Sequence, residues 1–401
     1  MLAKFLFGAG LSIAAVPCAA QEASRDPDQI VVTGKALEGT EAALAACIAR
    51  HCPPDQEIGA AIAHAENQFV AGRYDGARAT LAAASRRNKR YASQYPVPVS
   101  DMLRAKSRVA AHLGYGDEYF SDALDVIAAL KAGLANDDSR VLVARTELAD
   151  AYIKTGRWQA ASELYRTVAD DAKRLHYPMV EGFARFRDAA LWASLAQEDK
   201  AYRGNARTKL AALAGSTEPA HAPFAKAAHV LQTRLAAREG DSAAVDALIA
   251  EFRAQPVRSP VLLASDPIEF ARKRQAEQGE SGSTTRLMAM EDVDNQWIDV
   301  GFWIAPDGRT TDVDILRDSG ATSARWTAPV LKSIRSRRYA PLALNGSDPG
   351  LFRVERYTLT AHWTKATGSR MAVREAQPRL EMLDLSTENA VPAPVKLESK
   401  S

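Results

Sequence analysis

The 401-residue sequence predicts an α+β chain of two folded units, an all-α unit followed by a small ββαβ unit. Three observations carry that expectation. Apolar residues recur at spacings of three and four from about residue 56 to 275: Ile58, Ile62, Ala65 and Phe69 share one helical face, as do Trp158, Ala161, Tyr165 and Val168. Composition then changes at Gln278–Thr285 (Gln-Gly-Glu-Ser-Gly-Ser-Thr-Thr), within a flexible linker expected at 276–289. Beyond it the period becomes two, with Ile298, Val300, Phe302 and Ile304 alternating with Trp297, Asp299, Gly301 and Trp303. Composition excludes some classes. Hydrophobic residues make up 47% and charged residues 25%, an ordinary globular mixture. With 51 basic against 49 acidic residues the net charge is +2, which argues against a nucleic-acid partner. Three cysteines exclude a disulfide scaffold and any four-cysteine metal site.

The chain opens with Met1-Leu-Ala-Lys4, runs apolar from Phe5 to Val16 and continues Pro17-Cys18-Ala19-Ala20. This pattern reads as a signal peptide over 1–20, cut most simply after Ala20. The run is shorter than the about 20 apolar residues a membrane span needs. The expectation is an exported periplasmic protein, peripheral to a membrane at most. An uncleaved inner-membrane anchor is the alternative.

A flexible arm is expected over 21–55. Cleavage would remove Cys18 and leave Cys47 and Cys52, which an oxidising compartment would bridge. Five residues apart on a continuous helix, their sulfurs would point about 140° apart, so the helix must end near His51. A metal site from Cys47, His51 and Cys52 is the alternative, and it lacks a fourth ligand. The sequence shows no nucleophile motif, phosphate loop or spaced metal-ligand set, so neither metal, cofactor nor catalysis is expected. A periplasmic enzyme is the remote alternative.

Helical repeats are expected over 56–275. Gly72, Gly156 and Gly240 recur every 84 residues, Gly114 falls at half that spacing, and Glu198 occupies the remaining grid point. A 42-residue period with two helices per unit is the mark of an α-solenoid. Leu148, Ala149, Tyr152, Gly156, Ala161 and Tyr165 resemble the signature of the tetratricopeptide repeat. Such arrays resemble scaffolds with a concave groove for protein partners. Packing of the array on the neighbouring unit is the equal alternative. The basic run Ser85–Tyr91 reads as a helix end.

The second unit is expected over 290–366. Pro306-Asp307-Gly308 turns a hairpin between the strand at 298–304 and one near Asp312–Leu316. Thr327 can cap a helix with Val330, Leu331 and Ile334 on its apolar face and Pro329 in its first turn. Asn345-Gly346 turns into a last strand over about Leu351–Ala361. Val354 and Tyr357, three apart, predict a bulge there. A disordered tail is expected over 367–401.

The ordered series Val300-Gly-Phe302-Trp-Ile304-Ala-Pro-Asp307-Gly308, Val313-Asp-Ile315-Leu-Arg-Asp-Ser319-Gly320, Trp326-Thr-Ala-Pro-Val-Leu331 and Arg338-Tyr339-Ala-Pro341 resembles the C-terminal domain of TonB. The resemblance covers about 70 residues. It implies pairing with the TonB box of outer-membrane receptors, which adds as a strand to the edge of the last strand. Carried over, that edge is Arg353, Glu355, Tyr357 and Leu359; the other reading has alternate side chains packing on the helix. The Pro-Lys/Pro-Glu spacer of a working transducer is missing. The expectation is therefore an exported protein-interaction scaffold linked to TonB-dependent transport, with protein or peptide partners, and a membrane-anchored transducer as the alternative. Ile30, Val31, Val32 and Thr33 resemble the box of some TonB-dependent receptors and are otherwise a short β-prone stretch.

Overall fold

The computed structural model describes residues 37–254, 257–268, 296–320, 322–344, 348–365 and 372–386. The α+β class stands. Eleven described helices come first: α1 (Leu37–Ala49), α2 (Pro54–Val70), α3 (Tyr74–Asn88), α4 (Pro96–His112), α5 (Gly116–Lys131), α6 (Ser139–Lys154), α7 (Trp158–Arg174), α8 (Pro178–Glu198), α9 (Arg203–Ala214), α10 (Ala222–Arg238) and α11 (Ser242–Ala254). Each packs on the next in chain order, and α2 on α4, α6 on α8 and α8 on α10, so the stack grows by pairs.

Local chemistry sets the period. Proline stands in the first turn of α2, α4 and α8, where its missing N–H would be unpaired anyway. Gly72, Gly114, Gly156 and Gly240 end the first helix of a pair with positive φ of 75°, 82°, 76° and 98°. The grid point at Glu198 turns differently: Asp199 follows it and accepts from Ala201 N at 2.8 Å. Where helices cross, alanine is fully buried, as at Ala61, Ala77, Ala144, Ala161 and Ala184. A side chain of one methyl lets two backbones approach.

Three boundaries differ from expectation. Part of the supposed arm is helix α1, held on α2 by Thr40 Oγ1, which lies 3.1 Å from His64 Nδ1 and accepts from Asn67 Nδ2 at 3.2 Å. Among the described residues the last helix of the array ends at Ala254, and β1 (Leu262–Ala264), which falls within the span expected for the repeats, pairs antiparallel with β4 (Arg338–Tyr339) and so belongs to the second unit. The supposed tail contains a 13-residue strand.

The second unit comprises β1, β2 (Gln296–Ile304), β3 (Thr310–Asp318), α12 (Ala324–Arg335), β4, β5 (Leu351–Lys365) and β6 (Ala372–Asp384). Its main sheet is antiparallel in the order β3-β2-β5-β6. One face carries Ile298, Val300, Phe302 and Ile304 with Tyr357, Leu359 and Ala361, covered by Trp326, Val330 and Ile334 of α12. Ser323, not Thr327, caps α12: its hydroxyl accepts from Arg325 N at 3.3 Å. Pro329 therefore falls in the second turn. The bulge expected near Val354–Tyr357 is absent, since Ile304↔Leu351 through Gln296↔Leu359 pair without a break. The irregularity lies between Ala361 and Trp363, opposite β6.

Candidate interaction surface

The second face of the sheet is polar, yet it is buried, because it sits on the helical array. β-Strand alternation sends Arg356, Thr358 and Thr360 to that face, each 0% exposed. Their partners are groups at the ends of successive helix pairs. Arg356 Nη1 donates to Phe69 O at 2.9 Å and Nη2 to Val70 O at 2.8 Å. These carbonyls end α2, where unpaired acceptors and the negative end of the helix dipole favour a cation. The same guanidinium reaches Asp299 on β2, Nε to Oδ1 at 2.7 Å and Nη2 to Oδ2 at 2.9 Å, and lies 3.9 Å over the Trp297 ring. Burial opposes the charge on Arg356, but Asp299 and Tyr74 outweigh it and hold its pKa above the usual value.

One helix pair further on, Thr358 Oγ1 lies 3.0 Å from the Tyr74 hydroxyl and 2.8 Å from His112 Nε2. Thr360 Oγ1 donates to Leu113 O at 3.3 Å, and Trp363 N to Gly114 O at 3.0 Å. The Trp363 ring stacks on Tyr115, and the Arg78 guanidinium also lies over the Tyr115 ring, 4.1 Å from its centroid. At the third pair, Lys154 Nζ donates to Glu381 of β6 at 2.9 Å. Burial raises the Glu381 pKa, yet Lys154 and Arg379 pull harder and hold it below the usual carboxylate value. Elsewhere Val230, Leu248, Ile249 and Phe252 of α10 and α11 pack with Leu263 and Ala340. The array thus packs on its neighbouring unit at both ends, as one of the two sequence alternatives had it.

The expected edge is not an edge. β6 pairs with β5 from Glu355↔Asp384 to Lys365↔Ala372, which fills the row of donors and acceptors at Glu355, Tyr357 and Leu359, and beside Arg353 the Val354 carbonyl accepts from Leu385 N at 2.8 Å. Their side chains are occupied as well. Arg353 pairs with Asp384, and Glu355 accepts from Arg337 Nη1 at 2.9 Å. The Tyr357 hydroxyl donates to Glu355 and accepts from Arg337 Nη2 at 2.6 Å, while Leu359 lies in the core. The sequence missed Arg337 and β6. Val373, Leu380 and Met382 were legible as apolar residues, but Pro378 in mid-run argued against a strand; it stands opposite Ala361, beside the register shift.

The repeat-signature residues build packing. Ala149, Ala161 and Tyr165 are fully buried together with Leu191, against Tyr152; Leu148 packs with Ala123 and Ala151. The Tyr165 hydroxyl donates to Asp150, which also binds Arg187 of the next pair through Nε at 3.1 Å. Outside the footprint of the sheet, Trp158, Trp192 and Tyr202 form a half-buried aromatic cluster with centroids 5.4–5.9 Å apart. A cleft of about 330 Å³ lies between α9 and α10, lined by Ala211, Leu235, Arg207 and Glu239.

Cys47 and Cys52 are in disulfide contact, Cα atoms 5.2 Å apart, with α1 ending at Ala49 and His51 at φ 53°. The helix ends where the bridge needs it to. Among the described residues no group of three His, Cys, Asp or Glu could hold a metal ion, and no helix is long and apolar enough to cross a membrane. The signal-peptide segment 1–20, the linker 276–289 and Ile30, Val31, Val32 and Thr33 lie outside the described residues. No protein-family model matches the chain, and a search of curated proteins finds no match.

Proposed function

We propose that the chain is an exported protein-interaction scaffold of the periplasm, in which a tetratricopeptide-like array and a TonB-like ββαβ core extended by β6 act as one body in TonB-dependent outer-membrane transport. The observation that carries this reading is the junction at Arg356. A guanidinium that bridges Asp299, Phe69 O and Val70 O with no exposure holds the two units in one relative position. That suits a platform better than two modules on a tether. The motif series from Val300 to Pro341 supports the TonB-like part, and the Cys47–Cys52 contact supports an oxidising compartment. Partners are proteins or peptides, received on the array at the Trp158–Trp192–Tyr202 cluster, since half-buried aromatics dominate binding energy at interfaces.

Cell fractionation with N-terminal sequencing tests the export part: a start at Gln21 in soluble periplasm is expected, and an intact Met1 start in the inner membrane supports the transducer instead. Crosslinking capture from periplasm, followed by identification of partners, tests the rest. Enrichment of outer-membrane receptors that is lost in Trp158→Ala is expected. Equal recovery by both forms removes the array from the binding surface.

A further inference from the structure

Where α10 meets the second unit, arginines collect. Val230 of α10 packs with Leu263 of β1 and with Ala340, just past β4. Arg234 and Arg238 stand one and two turns beyond Val230 on the same side of the helix. Beside them Arg337 is buried next to β4 and donates through Nη1 to the Tyr339 hydroxyl at 2.9 Å. The three guanidiniums are not alike. Arg337 also donates to Glu355 at 2.9 Å and to the Tyr357 hydroxyl at 2.6 Å, so its charge is answered. Arg234 is half-buried, and among the described residues no carboxylate or other acceptor pairs with it. Burial pushes its pKa down, and Arg238 and Arg337 push it further; Tyr339 alone pulls the other way. The acids nearest along the chain are engaged elsewhere. Glu239 pairs with Arg203 and Arg207 of α9, and Glu251 lies 3.4 Å from His229. The negative end of α10 suits the exposed Arg238, in its last turn, but does not account for Arg234 one turn further in. The Tyr339 hydroxyl accepts from Arg337 and has no acceptor for its own proton among the described residues. Lost hydration and like-charge repulsion both oppose holding a cation in such a place.

We propose that Arg234, Arg238 and the Tyr339 hydroxyl form an anion site for a phosphate group, which supplies the counter-charge. Two observations select phosphate over a carboxylate. The first is charge. With Arg337 neutralised by Glu355, the charges of Arg234 and Arg238 remain unanswered, and a dianion matches them. The second is donor count. Two planar guanidinium forks and one hydroxyl offer more N–H and O–H groups than the two oxygens of a carboxylate can accept, and a phosphate presents more oxygens. The site lies between α10 and β4, so its ligand ties the array to the second unit at a place far along the chain from Phe69 and Val70, and on a different helix pair from the Trp158 cluster.

Thermal unfolding of the full chain tests the site. Inorganic phosphate is titrated in while chloride holds the ionic strength constant. The wild-type midpoint is expected to rise with phosphate, because a ligand of the folded state stabilises it by mass action. Arg234→Gln is expected to abolish the rise, while its midpoint without phosphate stays at or above the wild-type value, since a crowded charge has gone. Arg238→Gln alters an exposed helix end that folding does not depend on, and is expected to weaken the apparent affinity about tenfold. Vesicles of phosphatidylcholine carrying phosphatidic acid separate two sources of the phosphate. Cosedimentation that Arg234→Gln abolishes assigns it to a lipid headgroup, whereas a phosphate response without cosedimentation assigns it to a soluble ligand. No rise with phosphate, an equal rise with acetate, or a rise that either variant leaves unchanged overturns the proposal.

Discussion

Arg356 and Asp299 form the most consequential residue pair in the molecule. Both are 0% exposed; Asp299 is the carboxylate that answers Arg356, and it also pairs with the half-exposed Arg317 at 2.7 Å. Removing one partner of a buried pair costs about 3–5 kcal/mol where the survivor is left without another counter-charge. Urea denaturation is expected to show a loss of that size for Asp299→Ala and a smaller one for Arg356→Ala, where Arg317 still answers Asp299, with the double variant losing much less than the sum. Additive losses would mean that the two charges act independently. The glycines give a second contrast at this scale. A Cβ on Gly114 would lie 2.0 Å from Ala361 O, whereas one on Gly156 meets nothing within 4 Å. Both hold positive φ, so Gly156→Ala is expected to cost only the left-handed strain of about 1 kcal/mol. Gly114→Ala adds a backbone collision to that strain and is expected to shift the thermal midpoint markedly further. The grid of glycines was visible in the sequence as a series of turns. That Gly114 also lets a strand from residue 361 touch the array was not, because nothing local announces a contact so far along the chain.

At the scale of elements, helices were easier to read than strand partners. The apolar period and the glycine grid mark helix turns at Gly72, Gly114, Gly156 and Gly240, since both signals are local. β6 escaped notice because its strand depends on pairing with β5 and on Lys154 of α6 receiving Glu381, not on its own composition. Ending the chain after Lys365 is therefore expected to bare β5 as a long open edge and to convert a well-behaved protein into one that self-associates, which sedimentation at rising concentration would show. A truncated form that stays monomeric and equally stable would mean that β6 contributes nothing to the fold. The candidate surface follows the same division. Ala149, Ala161 and Tyr165 were legible by spacing, but Asp150 and Arg187, which tie three helices together, have no sequence signature.

At the scale of the whole molecule, the contact between array and sheet makes stability depend on pH. Burial first, then Arg379 and Lys154, push the His362 pKa down from 6.5 to about 4. The unfolded chain binds that proton more readily than the folded one does. The contribution of neutral His362 is thus complete above about pH 6.5 and is lost as pH falls toward 4. Stability is expected to decline through that window, and His362→Gln is expected to flatten the decline. An identical pH profile in the two proteins would place the titration elsewhere. An array and a sheet read separately from sequence give no hint of this dependence, which arises only where the two meet.

The junction also has a consequence in time. The carbonyls of Phe69 and Val70 are answered by a side chain 287 and 286 residues later. At the usual pace of about 5–20 residues per second, the ribosome delivers Arg356 roughly 15 to 60 s after the helix it secures. Through that interval the first helix pairs lack the partner that covers their ends. A chain that stops early, even by the last eighth of its length, lacks Arg356 and leaves the oldest part of the molecule unfinished.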